Sequence, residues 1–185
     1  INDERVLKKG DLVKIDVGVH INGYIADTAS SVSVGEDKEN EQLISEAESA
    51  LNSAIKKLKS GITLGEVGKA ISSGLKETNI IRNLTGHELG QYVIHGGITI
   101  PNFETEDKEK LKDIAIAIEP FTTFGEGLVV EGNPSVIYAL IQRKPLRIGR
   151  EVLYYISNKY KTLPFSGREL IEKFGLDATR YLLIS

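Results

Sequence analysis

"KIDVGVHINGYIADTAS", residues 14–30, is the stretch on which the fold turns. Valine and isoleucine alternate with smaller or polar residues on either side of Asn22-Gly23, the strongest short-range signal for a two-residue hairpin turn. The spacing predicts two antiparallel strands from Asp11 to Gly35, with Gly18 opposite Asp27 and Asp16 opposite Ala29. Side chains alternate along a strand, so both aspartates fall on one face as diagonal neighbours, roughly 5–8 Å apart at Cβ. Like charges that close are costly unless a proton or a cation neutralises them. Gly18 and Ala29 leave room beside them. Lys14 and His20 share this parity, whereas Val13, Ile15, Val17 and Val19 make the opposite face uniformly apolar. The hairpin alone therefore leaves two readings open: a wet acidic face, or a face built around a cation.

Composition narrows the class. The chain has 185 residues, 41% hydrophobic and 26% charged, as expected of a globular domain of ordinary size. The net charge of -3 and a pI near 5.7 give no basic footprint for DNA or for an anionic membrane. With 0 cysteines, disulfides and thiolate metal sites are excluded. No run of about 18 apolar residues suggests a membrane span, and no signal peptide opens the chain. A cytoplasmic monomer is the expectation. The chain starts at Ile1 and holds 0 Met, where about four are expected at average usage. Both features predict a piece of a longer protein.

Beyond the hairpin, Leu43, Ile44, Ala47, Leu51, Ala54, Ile55 and Leu58 recur at helical spacing, and Gly61 stops the run. Thr63-x-x-Glu66 is a capping box opening a second helix. "GHELGQYVIHGG" is glycine-rich, with strand-like pieces around Val93 and Ile98. "EDKEKLKD" reads as a solvated turn, and "IAIAIEPF" as a buried strand ending at a proline. "EVLYYISNKYKTLPF" and "GRELIEKFG" read as helical. Strands and helices separated by long connections argue an α+β class.

Three more residues stand out. His87 and His95 are two of only 3 histidines and lie among glycines. A histidine alone is more often a surface or satisfied core residue, but two in such a segment raise the case for a site. Glu119 ends an apolar strand beside Ala115 and Ala117, which leaves two readings: a strand end emerging into water, or a cavity framed by the small neighbours. Two aspartates, a histidine and a glutamate make a hard oxygen and nitrogen donor set suited to Mn, Fe, Co or Zn.

"KIDVGVHINGYIADTA", "NLTGHELGQYVIHGGITIPN" and "AIEPFTT" together resemble the type 2 methionine aminopeptidases in their archaeal form. "YKTLPFSGREL" is similar to part of the helical insertion that distinguishes type 2 from type 1. The resemblance implies the pita-bread α+β fold: residues 1–132 as a partial catalytic core, and residues 133–185 as a partial, mostly helical insertion subdomain. It implies a metallo-exopeptidase that removes the initiator methionine, with two divalent metal ions (Co, Mn, Fe or Zn) activating water against the first peptide bond. Asp16, Asp27, His87 and Glu119 match the metal ligands, Asp27 bridging both ions. Glu119 also matches the group that handles the water proton, and His95 a histidine near the scissile amide. The implied partner is the N-terminal methionine of nascent polypeptides, with the ribosome a further candidate. A non-catalytic pita-bread binding module and an Xaa-Pro dipeptidase on the same fold are the alternatives. Two elements of the family pattern are not in these 185 residues: a catalytic histidine shortly before the position of Ile1, and a final bridging glutamate. Taken alone, the chain is expected to bind metal weakly and to hydrolyse little.

Overall fold

The computed structural model describes residues 4–133, 135–141 and 149–183. Residues 1–3, 134, 142–148 and 184–185, which fall within both expected domains, lie outside the described residues. Two compact units result: one takes in Val6–Gln91 and His95–Glu131, and the other Tyr92–Ile94 with the described residues from Gly132 onward, together with Glu4 and Arg5.

The larger unit begins with strands β1 (Leu12–Ile21) and β2 (Tyr24–Ser33), paired antiparallel in the expected register, Asp16 opposite Ala29 and Gly18 opposite Asp27. Asn22 and Gly23 take positive φ, 52° and 88°, as a primed turn requires. Helix α1 (Lys38–Lys57) follows, with the Asp37 side chain accepting from the Asn40 N–H at 3.0 Å. Helix α2 (Leu64–Ser72) opens with the expected capping box: Glu66 N–H donates to Thr63 Oγ1, and Thr63 N–H to Glu66 Oε2. Strand β3 (Asn79–Ile80) pairs with β7 (Thr122–Thr123). Between them, β4 (Gly86–Leu89), β5 (Thr99–Ile100) and β6 (Ala115–Ala117) form an antiparallel sheet with β4 in the centre.

The core joins Ala50 and Ala54 of α1 to Leu64, Val67 and Ile71 of α2, with Ile62, Ile80, Ile100 and Leu111. Small residues let backbones meet. A Cβ on Gly68 would lie 2.0 Å from the Phe103 carbonyl oxygen, and one on Gly65 2.3 Å from that of Thr105. On an exposed helix, Gly→Ala gains about 1 kcal/mol. Here the sign reverses: Gly68→Ala is expected to destabilise by about 1–3 kcal/mol through overpacking. Denaturant unfolding checks this, and an unchanged or raised midpoint would mean that α2 does not rest on that backbone.

The smaller unit holds β8 (Ile137–Tyr138), α3 (Arg150–Lys159), β9 (Phe165–Ser166), α4 (Gly167–Phe174) and α5 (Leu176–Leu183). Val152, Ile156, Phe165 and Leu170 form its core, flanked by Tyr138, Tyr155, Tyr160 and Phe174. Lys159, Tyr160 and Tyr155 all donate to the Glu169 carboxylate, which holds it at a pKa of about 2. Both predicted helices here are present, but the first ends at Lys159, and Phe165, the last residue of that predicted helix, opens β9 instead.

A strand placement in the larger unit also differs from the sequence reading. The strand lies at Gly86–Leu89, before the predicted piece around Val93, which makes only a single bridge position after the Gln91–Tyr92 turn. Gly86 allows the shift, because β4 approaches β6 so closely that a Cβ there would lie 2.2 Å from the Ala117 carbonyl oxygen.

Candidate metal centre

On the hairpin face left open by the sequence, burial singles out Asp27. Ile15, Val17, Val19 and Ile21 are between 45% and 79% exposed. The aspartate face instead looks onto α1 and the segment after β6 across a cavity of about 600 Å³, lined by Asp16, Asp27, Ile44, Leu51, Ile118 and Glu119 among others. The Asp27 side chain is only 15% exposed. Space above Gly18, its cross-strand neighbour, is open, with no atom within 4 Å of where a Cβ would stand.

His87 sits in the central strand of the three-stranded sheet, opposite Ala117. Glu119 lies two residues beyond Ala117 along the extended chain, so it shares the face of His87. Its carboxylate Oε1 is 3.0 Å from His87 Nε2, and Asp27 Oδ2 is 3.6 Å from the same nitrogen. The donor atoms of Asp27, His87 and Glu119 all lie within 4.8 Å of one another. The tip of the hairpin is tied toward this sheet by Gln91 Nε2, which donates to the Asn22 carbonyl at 2.9 Å.

The chemistry of this set fits a divalent cation. His87 Nε2 is the nitrogen turned toward the carboxylates, and Nδ1 lies 3.3 Å from the Glu88 carbonyl oxygen, which can only accept, so with an ion on Nε2 the proton would stand on Nδ1. That arrangement fixes the tautomer of metal-binding histidines. Donors sharing one ion at about 2.1 Å stand about 3–4 Å apart, and the two separations from Nε2 fall in that range.

The remaining sequence-predicted residues stand close by. Asp16 lines the same cavity but lies outside the three-donor group, its Oδ2 paired with Lys14 Nζ at 3.1 Å. Both partners are about half exposed, so this ion pair is weak. Lys14 also stands over the Phe121 ring, 4.9 Å from its centroid. His95 is exposed and meets His87 edge-on, with ring centroids 4.4 Å apart. Sequence reasoning noted the parity of Lys14 but not its pairing. It missed Asn102, whose side chain is completely buried beside this site. Only a polar residue after Pro101 signals it, and that pattern is usually a solvated turn.

An α+β hairpin-and-sheet fold that gathers two carboxylates and an imidazole belongs to the class of scaffolds suited to hold a divalent ion. Residues 1–153 match metallopeptidase family M24, and the chain belongs to that family. Over 174 residues it is 44% identical to a methionine aminopeptidase of Thermococcus onnurineus, covering 91% of this chain and 58% of that protein. The crystal structure of the methionine aminopeptidase from Thermotoga maritima superposes with a TM-score of 0.64 at 36% identity, over 69% of this chain and 53% of that one. A prolidase from Pyrococcus furiosus superposes with a TM-score of 0.54 at 25% identity, over 64% of this chain and 35% of that one. The fold is therefore the pita-bread fold. The chain spans 58% of the length of curated relatives such as the Thermococcus onnurineus protein. Among the described residues, no helix is long and apolar enough to cross a membrane.

Proposed function

We propose that the protein carrying this chain is a methionine aminopeptidase of type 2, which removes the initiator methionine from nascent polypeptides. The observation that carries this reading is the convergence of Asp27, His87 and Glu119, in a chain similar to archaeal methionine aminopeptidases. These three residues, with Asp16 for a second ion, would hold a pair of divalent ions, Asp27 serving both. Ions bound there would bring the pKa of water toward neutrality and polarise the scissile carbonyl.

The chain's own groups do the rest. Glu119 is partly open to the cavity, placed to take a proton from water and pass it to the leaving amine. His95 donates to the carbonyl oxygen as negative charge develops there. The apolar side of the cavity, with Ile44, Leu51 and Ile118, suits the flexible unbranched side chain of methionine. Asp16, now paired with Lys14, would hold the second ion in place of that lysine. Residues 1–132 are the catalytic core and residues 133–185 belong to a helical insertion. The protein works as a monomer in the cytoplasm, with the ribosome a docking partner.

Hydrolysis of Met-Ala-Ser by the full-length protein tests this reading. His95→Ala is expected to lower turnover by about 10²–10³-fold while metal content stays at the wild-type level. Loss of metal in that variant would place His95 among the ligands instead. Cleavage of Xaa-Pro dipeptides without Met-Ala-Ser would replace the reading with a proline-directed dipeptidase. Bound metal with no cleavage of either would point to a binding module.

A further inference from the structure

Asn102 is fully buried between the two segments that carry His87 and Glu119. Its Nδ2 donates to the Leu84 carbonyl at 2.9 Å and to the Glu119 carbonyl at 2.8 Å. The backbone ladder nearby explains why a side chain is needed there. β4 pairs with β6 at His87–Ala117, Glu88–Ile116 and Leu89–Ala115. Continuing that register brings Leu84 opposite Pro120, which has no N–H to donate, so the ladder cannot be extended by backbone alone. A carboxamide carries two N–H groups on one nitrogen and can serve two carbonyls at once, which no carboxylate or single hydroxyl can do. The two bonds tie the segment entering β4 to the segment leaving β6, beyond the last ladder pair.

We propose that Asn102 is a positioning residue: its carboxamide braces the chain on either side of the site so that His87 Nε2 and Glu119 Oε1 stay at ion-sharing distance. This rests on the reading that His87 and Glu119 are metal ligands. Asn102 touches neither side chain and acts through the backbone of Glu119 and the approach to His87.

The test uses Asn102→Leu, close in size and without donors, in the full-length protein. Three measurements are made: Co(II) affinity, the visible absorption of the Co(II) form, and the ¹⁵N shift of His87 Nε2 in metal-free protein. Expected results are a loss of Co(II) affinity of about tenfold or more, displaced absorption bands and a changed Nε2 shift. Glu46→Ala, which lowers stability without touching Leu84 or Glu119, serves as the control and should leave the spectrum and the shift unmoved. Should Asn102→Leu fail to fold, Asn102→Ser, with a single O–H donor, is read in the same way. A folded variant whose Co(II) affinity lies within about twofold of wild type, with the same bands and the same Nε2 shift, would overturn the proposal. Should the wild-type protein bind no Co(II), the metal reading fails, and the metal-free Nε2 shift alone decides the role of Asn102.

Discussion

Asp27→Asn is expected to abolish peptidase activity in the full-length protein and to weaken divalent metal binding by more than about a hundredfold, beyond the loss that removing a merely supporting partner causes. The substitution keeps the shape of the side chain and removes its charge. Asp27 is the hairpin carboxylate that reaches the sheet: its Oδ2 lies 3.6 Å from His87 Nε2, and its side chain is 15% exposed. A carboxamide there offers one weakly basic oxygen to an ion and turns an N–H toward it on the other side. Asp16 cannot substitute, since its carboxylate stands outside the three-donor group and faces Lys14. Calorimetric titration with Mn(II) reads the effect. Wild-type affinity in Asp27→Asn would remove Asp27 from the ligand set. Asp16→Asn, by contrast, should lower the number of ions bound from two to one.

Glu46→Ala is expected to cost about 3 kcal/mol of stability at neutral pH. Glu46 lies on α1 and is buried, and its carboxylate collects the N–H groups of Lys76, Glu77 and Thr78 at 2.9–3.3 Å and the Thr78 hydroxyl at 2.7 Å. Burial alone would raise its pKa. The backbone donors, with the Thr78 hydroxyl, more than reverse this and bring it to about 2, against an ordinary value of 4.5. The folded value is the depressed one, so the stabilisation is present above pH 4.5 and drains away as the pH falls from there toward 2. That difference corresponds to about 3 kcal/mol. Truncation also leaves three N–H groups without an acceptor. Denaturant unfolding at a series of pH values should show the wild type losing its advantage over Glu46→Ala between pH 4.5 and 2. Parallel curves across that range would show that the carboxylate does not carry this linkage. Glu169 in the smaller unit is held near the same pKa but is more exposed, so solvent screening leaves it a smaller share.

Local signals read best where the physics is local. The Asn22-Gly23 turn set the register of ten residue pairs, and Thr63-x-x-Glu66 marked the start of α2 to the residue. The coming together of His87 and Glu119 follows from strand alternation once β4 and β6 are known to pair. That pairing spans about thirty residues and is invisible to periodicity. The wet and dry faces of the hairpin were not legible, because valines and isoleucines that look like a core face are exposed in this chain. Nor was Glu46, which reads as one more polar residue on an amphipathic helix until the Lys76–Thr78 turn wraps it. Asn102 escaped for the same reason: its two acceptors lie 18 and 17 residues away.

The most direct test of the metal centre is a crystal structure of Co(II)-soaked protein with anomalous data collected at the cobalt edge. A peak within about 2.0–2.3 Å of donor atoms of Asp27, His87 and Glu119 is the expected result. Anomalous density elsewhere, with these three side chains still joined only to one another, would contradict it.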